Sequence, residues 1–141
     1  MLKFCFDIDG VICTTYKKNY TKAKPKKKVI ALINNLYKKN YIIIFTSRYM
    51  GRNNDNVAKA KKQGYRKTYM QLIDWGLKFH ELRLGKPSFD VFVDDKNFLF
   101  NGNWYQKFSE KFFDQMNSLE GVRLPGERRH KNRLDKGSRS I

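Results

Sequence analysis

A chain of 141 residues and 16.8 kDa has room for one ordinary domain. With 40% hydrophobic and 15% aromatic residues it can build a core, which excludes wholesale disorder. Its 30 Lys and Arg against 13 Asp and Glu leave a net charge of +17. Two readings of that excess stay open: a polyanionic partner, or the Lys-, Asn-, Ile- and Tyr-rich composition of an AT-rich genome.

Cys5 and Cys13 are too few for a disulfide framework, and no Cys/His spacing suits zinc. Cys5 lies in an apolar run and is expected to be a small buried hydrophobe, as in a reducing compartment. No signal peptide is expected, because Asp7 and Asp9 interrupt the early apolar stretch. No window is apolar enough over about 18 residues to span a membrane. A soluble, cytoplasmic protein is the expectation.

Residues 2–8 form a β-prone run broken at Asp9-Gly10. A Lys-rich loop leads to Pro25 and then to a helical pattern with Val29, Leu32, Ile33, Leu36 and Tyr37 on one face, where Asn40 is placed to cap the end. Residues 41–45 are continuously apolar and suit the centre of a parallel sheet. Two short helices are expected next, 55–63 stopped by Gly64 and a second N-capped by Thr68 and ended by Gly76. Weak strand character follows over 79–84, and a further apolar strand over 89–93 runs into Asp94-Asp95. A last helix is expected over 104–118, with Trp104, Phe108, Phe112 and Met116 on its inner face. Beyond 121 almost no bulky apolar residue remains, so 121–141 reads as a basic, flexible tail after a domain of 1–120.

Alternating strands and helices predict an α/β fold with a parallel sheet, whose ligands bind at the carboxyl ends of the strands. Asp7 and Asp9, Thr46, and Asp94 and Asp95 fall at those ends, with Lys86 in the loop before the last pair. Four carboxylates gathered there require a cation, and an all-oxygen site suits Mg²⁺.

These residues carry a resemblance. Phe6-Asp7-Ile8-Asp9-Gly10-Val11 resembles the first motif of the haloacid dehalogenase superfamily, the aspartate-nucleophile phosphohydrolases. Ile42-Ile43-Ile44-Phe45-Thr46 resembles the second, Gly85-Lys86-Pro87 the third and Val91-Phe92-Val93-Asp94-Asp95 the fourth, in the expected order. The segments 46–48, 71–76 and 79–82 are similar to a small branch found among capsule and surface-polysaccharide biosynthesis proteins. The resemblance covers about residues 2–100.

It implies a three-layer Rossmann-like sheet with helices on both faces and a Mg²⁺-dependent phosphatase. Asp7 would attack phosphorus to give an aspartyl-phosphate, and Asp9 would act as general acid and base. Asp7, Asp9 through its carbonyl, and Asp94 would hold Mg²⁺, supported by Asp95. Thr46 and Lys86 would bind the phosphoryl group, while Gly10, Ser47 and Arg48 would contact substrate. Arg48 either reaches the leaving group or is a surface arginine. His80 is expected to be structural, and Glu81 and Asp90 to support the site or cap neighbouring elements.

Only 36 residues separate Asp9 from Thr46, and 39 separate Thr46 from Lys86, which leaves no length for a cap domain. Between Gly10 and Asn54 lie eleven Lys and Arg and no acidic residue, much of this block beside the expected site. The expected substrate is a phosphorylated small molecule, a sugar phosphate of surface-polysaccharide synthesis. The alternatives are a nucleotide or polynucleotide-end phosphatase, or a non-catalytic nucleic-acid-binding module on the same fold. An open site also makes a homo-oligomer conceivable.

Overall fold

The computed structural model describes residues 1–116; the end of the last expected helix and the 121–141 tail lie outside the described residues. Three parallel strands form the sheet, β1 (Lys3–Phe6), β4 (Tyr41–Thr46) and β5 (Glu81–Leu84), in the order β1-β4-β5. Between β1 and the first helix a small antiparallel ribbon pairs β2 (Cys13–Thr14) with β3 (Lys24–Pro25). Helix α1 (Lys27–Tyr37) links β1 to β4, and α2 (Val57–Asp74) links β4 to β5. Helix α3 (Trp104–Lys111) is shorter than the 104–118 expected: it ends at Lys111, and a 3₁₀ turn, Phe113–Gln115, followed by an extended Met116 closes the described chain. This β-α-β-α-β order is a mixed, Rossmann-like α/β arrangement.

As expected from its unbroken apolar run, β4 is the central strand. The register Phe4↔Ile42, Phe6↔Ile44 and Ile44↔Leu82 puts these side chains on one buried face. Rings from α3 and its C-cap Phe112 complete that face, with Phe108 5.6 Å and Phe112 5.1 Å from Phe4 and Trp104 6.3 Å from Phe6, centroid to centroid. Each such ring pair adds roughly 0.5–1.5 kcal/mol beyond simple burial. The other face of β1 carries Lys3 and Cys5 and is exposed. Cys5 is therefore not the buried hydrophobe expected, because strand side chains alternate and it falls on the side of Lys3.

Two further expectations are corrected. Gly64 does not stop a helix, and Thr68 does not cap one; both are buried inside the single 18-residue α2, capped instead by Asn56 Oδ1, which accepts the Lys59 N–H at 3.0 Å. The space left by Gly64 holds the ring of Tyr49, and a Cβ added there would lie 2.0 Å from two of its carbons.

The second correction is 89–93, which forms no strand, so Asp94 and Asp95 do not sit at a strand end. Phe89 and Phe92 stack on each other at 4.9 Å. Residues three apart in a strand lie about 10 Å apart on opposite faces, so this ring pair is incompatible with an extended backbone. Lys86 sits 5.4 Å from both ring centroids, which favours the folded-back arrangement.

Asn40 ties the opposite edge together. Its Nδ2 donates to the carbonyls of Leu36 (3.0 Å) and Gln115 (2.8 Å), and its Oδ1 accepts the Leu2 N–H at 3.0 Å. His80 is structural as expected: Nδ1 accepts the Ile42 N–H at 3.0 Å, and its ring stacks on Tyr37 and Tyr41.

Candidate active site

The turn after β1 builds the first half of the site. The carbonyl of Ile8 accepts the N–H groups of Val11, Ile12 and Cys13 at 3.0, 2.8 and 3.3 Å, and Gly10 N–H closes the turn onto the Cys13 carbonyl. Gly10 has φ +85°, a left-handed conformation that a side chain would strain. This turn presents Asp7 and Asp9 at the carboxyl end of β1, half-buried.

Each carboxylate meets a different cation. Lys86 Nζ lies 3.4 Å from Asp7 Oδ2, while Asp7 Oδ1 accepts the Ile8 N–H at 2.7 Å. Burial pushes the Asp7 carboxyl above the usual aspartate range; Lys86 and the Ile8 N–H pull the other way without cancelling it.

Asp9 is gripped by Arg48 through a two-pronged pair, Nε to Oδ2 at 2.8 Å and Nη2 to Oδ1 at 2.9 Å. Thr15 Oγ1 and Cys13 Sγ also donate to Asp9 Oδ1. Arg48 is buried rather than at the surface; its Nη1 donates to Gln71 Oε1 at 2.6 Å, and its guanidinium lies 4.7 Å from the Tyr20 ring. Burial alone disfavours the Arg48 charge, but its bonds to Asp9 outweigh that and strengthen its hold on the proton. Both oxygens of Asp9 are thus engaged as acceptors.

Thr46, buried at the end of β4, connects the halves: its Oγ1 accepts the Arg48 N–H at 3.1 Å and its carbonyl accepts the Lys86 N–H at 3.2 Å. Ser47 lines a neighbouring cleft of about 220 Å³ whose walls include Lys18, Tyr20, Tyr49 and Arg52.

The structure thereby brings together Asp7, Asp9, Gly10, Thr46, Ser47, Arg48 and Lys86. It does not bring Asp94 and Asp95 to them: both are exposed, and Asp94 Oδ1 accepts the Lys96 N–H at 2.9 Å. Among the described residues no three His, Cys, Asp or Glu side chains converge as a metal-holding group. In this conformation the donor set does not fit Mg²⁺, since Asp7 and Asp9 face lysine and arginine and no third carboxylate joins them. Asp90 is exposed, and Glu81 bonds Arg83 and Tyr41 outside the site.

Thr15, Gln71 and Tyr20 complete the surroundings of Asp9 and Arg48 and carry no signal in the sequence, because each reaches the site from a separate loop or helix.

No family model and no curated protein matches the chain. Among solved structures, the crystal structure of an MCSG target from Vibrio cholerae is similar, at 21% identity and a TM-score of 0.65 over 79% of this chain and 99% of that one. At that identity the likeness shows a shared fold.

Proposed function

We propose that the chain is a phosphomonoester hydrolase that works through an aspartyl-phosphate on Asp7, the reaction of the haloacid dehalogenase superfamily that its motifs resemble. The pairing of Asp7 with Lys86 at the end of β1, 3.4 Å apart, carries the reading. It sets a nucleophilic carboxylate beside a cation suited to a phosphoryl group.

In the first step an Asp7 oxygen bonds to phosphorus, and the bond from phosphorus to the leaving oxygen breaks with its electron pair on that oxygen, which takes the proton carried by Asp9. In the second, water attacks phosphorus and the bond to Asp7 breaks, giving inorganic phosphate and the free carboxylate. Asp9 receives the water's proton, and Arg48 sets its orientation. Thr46 and Lys86 hold the phosphoryl oxygens, and Ser47 faces the leaving group.

Asp7 would hold Mg²⁺ only together with Asp94 or Asp95, and among the described residues no such group of three converges. The open, uncapped site, a further layer over the exposed sheet face, a cytoplasmic setting and a homo-oligomer stand with the same reading. The substrate proposed from the resemblance is a sugar phosphate of surface-polysaccharide synthesis. A nucleotide or polynucleotide end is the second reading, favoured by rings and cations side by side in the cleft next to Ser47. The non-catalytic nucleic-acid-binding module is the outcome if no phosphate ester is cleaved.

The decisive experiment is p-nitrophenyl phosphate hydrolysis with Mg²⁺ and with EDTA. Wild type should turn over and Asp7→Asn should lose activity by at least about a thousandfold, as for a removed nucleophile. Full activity in Asp7→Asn overturns the mechanism. A panel of phosphorylated sugars, nucleotides and oligonucleotides then ranks the substrates.

A further inference from the structure

We infer that the cleft beside Ser47 is a second anion subsite, and that the substrate carries, besides the phosphate to be cleaved, another anionic group on a ring. This rests on the phosphatase reading for its place in a reaction, but not for its binding chemistry.

The cations are the first argument. Lys18 and Arg52 both line the cleft, and among the described residues no carboxylate pairs with either. A cation in a protein usually finds an acidic partner or bulk water. Arg52 is solvent-exposed, yet it is also held in place, 5.2 Å over the Tyr20 ring and 4.9 Å over the Tyr49 ring, with Nη2 donating to the Lys18 carbonyl at 3.4 Å. Such a guanidinium is already ordered, so an arriving anion loses little affinity to immobilising it. Lys18 Nζ and Ser88 Oγ face the same spot, since a Cβ added at Gly51 would lie 3.4 Å and 3.5 Å from them.

The backbone supplies an independent argument. Lys17, Lys18, Tyr49, Asn54 and Asp55 all have positive φ, between 47° and 67°; Lys18 and Tyr49 line this cleft, and the other three lie within three positions of lining residues in the chain. Left-handed backbone at a bulky residue costs about 1 kcal/mol or more and persists where the surroundings over-determine it. For Tyr49 the over-determination is visible: its ring is seated against Gly64.

The rings give the carrier. Tyr20, Tyr49 and Phe89 wall the cleft; Arg52 lies over the first two and Phe92 stacks on the third, so a substrate ring, whether a base or a sugar, would pack on the aromatic surface left beside them. Lys86 joins the two subsites, 3.4 Å from Asp7 and 5.4 Å from the centroid of Phe89. A substrate with one phosphate at Asp7 and a second anion at Arg52 fits this layout.

The test has a binding arm and a kinetic arm. Titration of the full chain with adenosine bisphosphate and with fructose bisphosphate, followed by calorimetry, should give tighter binding than inorganic phosphate for at least one, and the tighter one identifies the ring. Arg52→Gln should weaken it about tenfold or more, the loss of one charge-assisted bond. Lys39→Gln, which removes the same charge at the far end of the sheet, should not reach threefold. Neither probe exceeding inorganic phosphate, or equal weakening in both variants, overturns the subsite. In the kinetic arm, Arg52→Gln should lower the ratio of kcat/KM for the bisphosphate to that for p-nitrophenyl phosphate by about tenfold, and an unchanged ratio overturns the inference. If wild type cleaves nothing, the phosphatase reading fails and the binding arm alone decides the subsite.

Discussion

Asp7 is held by opposing influences that differ in sign. Burial raises its pKa, and Lys86 and the Ile8 N–H lower it, with burial prevailing. The folded protein therefore binds this proton more readily than the unfolded chain. The stability this contributes is present in full below the ordinary aspartate pKa of about 3.9 and is lost as pH rises through the raised folded value. Calorimetric melting of wild type and Asp7→Asn should show the variant gaining on wild type as pH is raised from acid to neutral. The acid limb of kcat/KM should lie above the ordinary aspartate range for the same reason. Asp7 and Asp9 are legible in the sequence, since two acids at i and i+2 after an apolar run have few bland explanations. Arg48 is not legible. Its partnership with Asp9 follows from the parallel pairing of β1 with β4, which levels the two strand ends, and no local pattern encodes that register.

At the scale of elements, α2 is where local propensity and tertiary packing diverge. Glycine is the poorest helix former after proline, by about 1 kcal/mol against alanine, so a stop at Gly64 is the natural local reading. The ring of Tyr49 overrides it by occupying the space where a Cβ would stand. Gly64→Ala should therefore destabilise the protein, by about 1–3 kcal/mol in urea unfolding, despite its better propensity. Combined with Tyr49→Ala the sign should reverse and the alanine should stabilise. The helix α1 and strand β4 are legible because their hydrophobic periods are long and clean. The 89–93 run is misread because Phe89 and Phe92 stack on each other beside Lys86 while Val91 and Val93 stay exposed, which composition does not distinguish from strand pairing.

Across the whole molecule the +17 charge sets the behaviour in solution. Three of its lysines, Lys26, Lys27 and Lys28, open α1 with no acidic residue in the first turn, against the helix dipole. Self-repulsion of this size is screened within about 10 Å at 0.1 M salt. Raising sodium chloride from about 20 mM to 300 mM, a shortening of the screening length by roughly a factor of four, should raise the melting temperature, where a charge-balanced protein of this size would barely respond. Among the described residues no helix is long and apolar enough to cross a membrane, in agreement with the sequence. The amount and the position of the charge are legible in the sequence. Its use is not, because an exposed arginine held over two rings reads the same in sequence as one left loose in solvent.

The uninterrupted course of α2 ties two parts of the site to one mechanical member. Gly64 seats Tyr49 on one side of the cleft. Seven residues on, two turns along the same face, Gln71 bonds both Arg48 and the Tyr20 carbonyl, at 2.6 Å each. The helix acts as a lever with the orientation of Asp9 at one point and the shape of the cleft at another. A tilt or rotation of α2 would move both together, so in the proposed reaction substrate fit and proton handling would be geared rather than independent. In that reading, substitutions that retune the cleft through α2 carry a correlated change at Asp9, and those confined to Lys18 or Phe89 do not.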